Sequence, residues 1–136
     1  MIICHSAFGA VAGSWDSVFA ETGDASIFDS HFWQQIWWRH FGRGARLRIV
    51  EFNNGEFRGI APLMQLGETV SFLGGNDLVD YHDFLLSHNN RGDFYKAVVG
   101  YLGADISISR IELLSILSSS PTIELLPEIA RSQSWT

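Results

Sequence analysis

The feature that most restricts the fold is a change of hydrophobic period near residue 46. Upstream, residues 29–42 (DSHFWQQIWWRHFG) place Phe32, Trp33, Ile36, Trp37, His40 and Phe41 at helical spacing, with Asp29 or Ser30 as cap and Gly42 as stop. From Arg46 onward the stretch RLRIVEF alternates with a period of two, and NNG at 53–55 turns the chain because Asn54 and Gly55 tolerate positive φ. EFRGIAPLM then runs back, and TVSFLG follows a second turn at Gly67 and Glu68. An aromatic helix leading into an antiparallel three-strand meander is the expected frame. Pro62 has no N–H to donate, so it is expected at an edge, a bulge or the strand's exit.

The flanking segments extend that frame. Trp15, Val18 and Phe19 predict a short helix over residues 14–22, capped by Ser14 or Asp16 and ended by Gly23. DFLL at 83–86 reads as a fourth strand. Asp93 is the expected cap of a helix that puts Phe94, Ala97, Val98, Tyr101 and Leu102 on one face and stops at Gly103. ISRIELLSI at 108–116 then returns as a strand after a crossover helix, which allows a parallel pairing. Ser120 and Pro121 start a last helix, which Pro127 should break or restart. The fold class expected is α/β: a mixed, mainly antiparallel sheet with flanking helices. At 136 residues and 46% apolar, residues 1–136 make one domain with a genuine core, and residues 1–13 are expected to be mobile.

A formal charge of −6 argues against sequence-independent binding to nucleic acid or anionic lipid. Arg39, Arg43, Arg46 and Arg48 bunch together, which reads as the usual cations of a helix C-terminus beside a solvated strand. Cys4 is the only cysteine, so the chain forms no internal disulfide and no thiolate metal cluster, in keeping with a reducing, cytoplasmic compartment. The apolar opening MIICHSAFGAVAG lacks the Lys or Arg of a secretion signal. No uninterrupted apolar run is long enough for membrane insertion.

Chemistry concentrates in GGNDLVDYHDFLL at 74–86, where Asp77, Asp80, His82 and Asp83 stand between apolar runs. The plain reading is a loop capping the sheet, with the aspartates accepting hydrogen bonds from free backbone N–H groups. A metal site would need further converging ligands, and no second His or Glu at helical spacing completes a set. The functional alternative is an acceptor site, with Asp80 or Asp83 holding a cationic amine while His82 handles a proton. No Gly-x-Ser-x-Gly elbow surrounds any serine, and no local motif couples Cys4 to a base. Trp33, Trp37 and Trp38 cannot all face one core, because adjacent helical positions point about 100 degrees apart. They are the candidate interface residues, either for a missing domain or for a second copy of the chain.

Residues 26–126 resemble the amino-terminal half of the CelD/BcsL family of GNAT-like acyltransferases, relatives of the FemAB peptidyltransferases. The resemblance rests on FDSHFWQQIWWRHFG, the GIAPLM strand end, FLGG and DYHDFLL, none of them a catalytic signature. It implies a GNAT-like lobe that shapes an acceptor groove, with acetyl-CoA bound by a carboxy-terminal GNAT domain absent from this chain. Acetyltransferase chemistry on a polysaccharide, amino sugar or peptide, as in cellulose or cell-envelope synthesis, would belong to the whole protein. The chain alone should then transfer no acyl group and hold no cofactor. RHFGRGAR at 39–46 comes nearest to a pyrophosphate loop but is expected to end a helix, the wrong polarity for an anion. The competing expectation is a scaffold domain that forms a homodimer through the aromatic helix 29–42.

Overall fold

The computed structural model describes residues 1–23, 25–75, 81–87 and 91–136. In chain order these residues form β1 (Ile2–His5), α1 (Ala12–Glu21), α2 (His31–Phe41), β2 (Arg46–Asn53), β3 (Arg58–Leu66) and β4 (Thr69–Phe72). There follow β5 (Leu85–Leu86), α3 (Arg91–Gly103), β6 (Arg110–Ile111) and α4 (Pro121–Ser132), and a 3-10 turn Ile27–Asp29 precedes α2. The sheet runs β1-β2-β3-β4-β6, with β5 paired to β3. Its pairings are antiparallel except β4 with β6, where Thr69 lies opposite Arg110 and Val70 opposite Ile111 in parallel. The fold is thus a mixed, mainly antiparallel α/β sheet flanked by helices.

Local chemistry explains the elements around the meander. The Ser30 hydroxyl accepts the Trp33 amide at 3.2 Å and starts α2, and the Gly42 amide closes it on the Trp38 carbonyl at 2.9 Å. At the hairpin Gly55 has φ +90°, and the Asn54 side chain accepts the Glu56 and Phe57 amides, both at 2.9 Å. Alternation then sorts side chains to two cores. Leu47, Ile49, Ile60 and Leu85 pack on one face with Trp15, Val18 and Trp37 of α1 and α2. Val50, Ala61, Leu63 and Leu86 pack on the other with Phe94, Tyr95, Val98 and Leu102 of α3. A sheet covered on both faces buries even Arg48 and Glu51 of β2, so that strand is not the solvated one expected from its charges.

Gly59 of β3 is required by close packing. A Cβ built there would fall 2.4 Å from Phe94 Cδ2, so a side chain would push α3 off the sheet.

Six expectations change. α1 runs Ala12–Glu21 from Val11, so Ser14 and Asp16 lie inside it and neither caps it, and α3 runs from Arg91, so Asp93 sits in its first turn where its charge suits the helix dipole, not at the cap. Residues 2–5 are a paired edge strand, not part of a mobile terminus, because Ile2 and Cys4 pack on the α3-side core and His5 Nε2 meets the buried Glu51 Oε1 at 2.8 Å. Pro62 lies inside β3, at neither edge nor exit. Its carbonyl accepts the Leu73 amide at 2.9 Å, so its nitrogen also points away from β2, toward the gap between the β5 pairing at Gly59 and Ile60 and the β4 pairing that starts at Leu63. A missing donor there breaks no ladder bond. The strands expected at 83–86 and 108–116 shrink to Leu85–Leu86 and Arg110–Ile111, because each finds only two partner residues on the meander. Finally, α4 runs straight through Pro127. Pro127 and Ile123, four residues back, are both on the exposed side, where water can satisfy the carbonyl that proline leaves unpaired.

Candidate functional site

The two turns that flank α1 and β5 enclose a cleft of about 270 Å³, with Phe28, Asp29, Tyr81, His82, Asp83 and Arg91 among its walls. The glycine pair at the end of the meander makes this possible. Gly74 and Gly75 have φ +102° and +63°, and a Cβ on Gly74 would fall 2.9 Å from His82 Cε1 and 3.2 Å from Gln34 Nε2. Only glycine lets the chain turn with the buried imidazole against its backbone. The His82 ring stacks on Phe72 at 5.8 Å between centroids, and its Nε2 meets the Gly75 carbonyl. A carbonyl only accepts, so in the neutral ring Nε2 carries the proton and Nδ1 is the acceptor.

Asp83 is anchored to α4. Its Oδ2 accepts the Ser120 hydroxyl, and its Oδ1 accepts the Thr122 hydroxyl at 2.7 Å and the Phe84 amide at 2.8 Å. Thr122 spends its proton on Asp83, so at 2.6 Å it accepts from the Tyr95 hydroxyl, which in turn accepts from Arg91 Nη1 at 3.4 Å. The chain Arg91, Tyr95, Thr122, Asp83 is a one-way relay that ties the N-terminus of α4 to α3. Asp83 therefore serves as a structural carboxylate more than as a free ligand, and it anchors the start of α4 rather than capping the sheet.

Asp29, expected from the sequence only as a helix cap, lies in the same cleft as His82 and Asp83. The 3-10 turn holds it in a capping box: the Ser26 amide donates to Asp29 Oδ2 at 2.9 Å, and the Ser26 hydroxyl accepts the Phe28 amide at 3.2 Å. The Trp15 indole N–H donates to the Asp29 carbonyl at 2.9 Å, fixing the turn against α1. Burial pushes the Asp29 carboxyl up from its ordinary value, against the Ser26 hydrogen bonds and the electrostatic pull of His82, while Asp83 pushes the same way as burial. A half-buried carboxylate, a histidine and a tyrosine thus line one cleft. The Ser-x-x-Asp spacing at 26–29 was the available sequence signal, and it reads as a helix start, not as a site.

Asp77 and Asp80 lie outside the described residues. Among those described, no group of three or more His, Cys, Asp or Glu is placed to hold a metal ion, and no helix is long and apolar enough to cross a membrane. The RHFGRGAR segment follows the C-terminus of α2, with the Gly42 amide spent on Trp38 and the Ala45 amide on Gly42 at 3.1 Å. Of the tryptophans, Trp37 is buried, and Trp33 and Trp38 pack half-buried against the α1/α2-side core. The outward face of α2 belongs to Phe32, 71% exposed, and Ile36, continued by Ile27 and Phe28 of the preceding turn. No protein-family model matches the chain, and searches of curated proteins and of solved structures find no significant match.

Proposed function

We propose that this chain is the acceptor-side, cofactor-free lobe of a CelD/BcsL-like N-acyltransferase, completed by a separate GNAT domain that supplies acetyl-CoA. The observation that carries the reading is the cleft that the half-buried Asp29 carboxylate lines together with His82 and Tyr81. An ammonium group entering it would replace the hydration that Asp29 lacks, and His82 Nδ1 is the ring atom free to accept a proton from an amine. The element order, an aromatic helix before an antiparallel meander, also supports the resemblance. A cytoplasmic setting suits a chain whose single cysteine is unpaired.

The test is calorimetric titration of the purified chain with glucosamine and, separately, with acetyl-CoA. Saturable glucosamine binding that Asp29→Asn abolishes, with no saturable acetyl-CoA binding, is the expected result. Saturable acetyl-CoA binding would mean that the chain is itself a complete transferase. Glucosamine binding that is absent, or indifferent to Asp29→Asn, would remove the acceptor role.

The exposed face of Ile27, Phe28, Phe32 and Ile36 favours a second reading, a scaffold domain that self-associates through α2. Under it, sedimentation equilibrium shows a discrete dimer that Phe32→Glu converts to monomer. A monomer at all concentrations would refute it.

A further inference from the structure

The arginine cluster of residues 39–48 has a use that neither reading of the cleft absorbs. A separate cavity of about 420 Å³ runs along the start of β2, between Trp38 of α2 on one face of the sheet and β1 and the C-terminal part of α3 on the other, with Cys4, Ser6, Arg46, Arg48 and Tyr101 among its walls. Its floor is built: Arg48 is only 7% exposed and is held by Gln65, which accepts from its Nε at 2.8 Å, and by Asp105 on its Nη2. Those bonds fix the guanidinium in place, and Asp105 cancels its charge. Arg46, two residues earlier on the same face of β2, is exposed and has no carboxylate within ion-pair distance among the described residues. Arg39 and Arg43 at the end of α2 are exposed as well, so a chain of net charge −6 is locally cationic here.

The neutral groups of the lining complete the pattern. Burial holds the Tyr101 phenol above its usual value, so its hydroxyl keeps the proton it can donate. Ser6 adds a second hydroxyl, and Trp38 an indole for a flat ring to lie against. Donors from three elements, β1, β2 and α3, line it, enough to meet several oxygens of a tetrahedral oxyanion. The cavity also has far more room than a bare phosphate fills.

We propose that this cavity binds a small aromatic phosphate monoester, its head held by Arg46, Tyr101 and Ser6 above the fixed Arg48, and its ring against Trp38. The head is held by side chains, with no demand on the backbone amides that the end of α2 has already used. The site is independent of the Asp29 cleft and of the acyl-transfer reading.

The test is titration calorimetry of the whole chain with phenyl phosphate, inorganic phosphate and benzoate at constant ionic strength. Phenyl phosphate should saturate one site and bind at least about tenfold more tightly than inorganic phosphate, the ring contributing through Trp38. Arg46→Gln should weaken it about tenfold or more, and Tyr101→Phe by a smaller factor. Lys96→Gln, which removes the same charge from an exposed position on α3, should leave affinity unchanged. The proposal is overturned by the absence of saturable binding, by Arg46→Gln and Lys96→Gln acting equally, by phosphate matching phenyl phosphate, or by benzoate binding as tightly as phenyl phosphate. Arg46 is exposed and unpaired, so loss of binding in that variant is not a folding defect, and an unchanged urea midpoint checks this.

Discussion

Replacing Asp83 by alanine should separate its anchoring role from a ligand role. The substitution removes the acceptor for the Ser120 and Thr122 hydroxyls and leaves the buried Thr122–Tyr95 hydroxyl pair with one proton that has no acceptor. Hydrogen bonds to a charged group contribute about 1.5–3 kcal/mol each, and an orphaned buried donor costs about 1–3 kcal/mol. Ser120 is only half-buried and can turn to water, so the full sum is not realised, and the expected loss is about 3 kcal/mol. Asp83→Asn keeps one carbonyl acceptor and should lose about 1–1.5 kcal/mol. Thr122→Val cuts the same bond from the other side, so the double variant Asp83→Ala/Thr122→Val should show a coupling of about 1–2 kcal/mol. Urea unfolding followed by far-UV circular dichroism reads all four variants, with the midpoint moving and the slope constant. The α4 amides should also lose hydrogen-exchange protection before those of β2 and β3. If Asp83→Ala stays within about 0.5 kcal/mol of the parent, the relay from Arg91 to Asp83 does not hold α4, and the structural assignment of this carboxylate is wrong.

Three further outcomes follow from the packing and the charges. Gly59→Ala should destabilise by about 1–3 kcal/mol, since its Cβ meets the Phe94 ring and Leu86 and the sheet cannot yield to both, and a denaturant midpoint equal to the parent's would contradict this. Gly74→Ala should lower the urea midpoint and disturb the His82 ring resonances in an NMR spectrum, because φ +102° and the imidazole Cε1 both oppose a side chain there; an unshifted His82 signal in a fully folded variant would show that the ring does not rest on Gly74. The Ser107 hydroxyl and amide, then Arg48, hold the Asp105 carboxyl down to about 2. A depressed carboxylate stabilises the fold above its unfolded value of 3.8, and that contribution is lost as pH falls toward about 2. Asp105→Asn should therefore be less stable at neutral pH and lose less on acidification through that window, and equal acid slopes in the two proteins would refute the assignment.

The α2 boundaries were legible because capping is local: Ser30 reaches the Trp33 amide three residues on, and Gly42 ends the helix within one turn. The 53–55 hairpin was equally legible, and of the inward face of α3 the sequence showed Phe94, Val98 and Leu102 but not the buried Tyr95 and Val99, which widen that face. The candidate site was only half visible. Residues 74–86 advertised themselves by composition, but Asp29 looked like a cap, and its arrival beside His82 depends on α1 and β5 docking on one face of the sheet.

The sequence by itself determined what consecutive residues can determine: period, turns, the caps of α2 and α4, and a mixed α/β fold class. Tertiary structure alone decided that residues 2–5 close the sheet edge and that Pro62 sits in a gap between two partner strands. It also turned the tryptophans of α2 inward while Phe32 faces out, and it placed Arg46, Arg48, Ser6 and Tyr101 around one cavity. Each of these joins residues far apart in the chain, and their meeting is set by which faces of the sheet the helices cover, a property of the packed whole that no local pattern encodes.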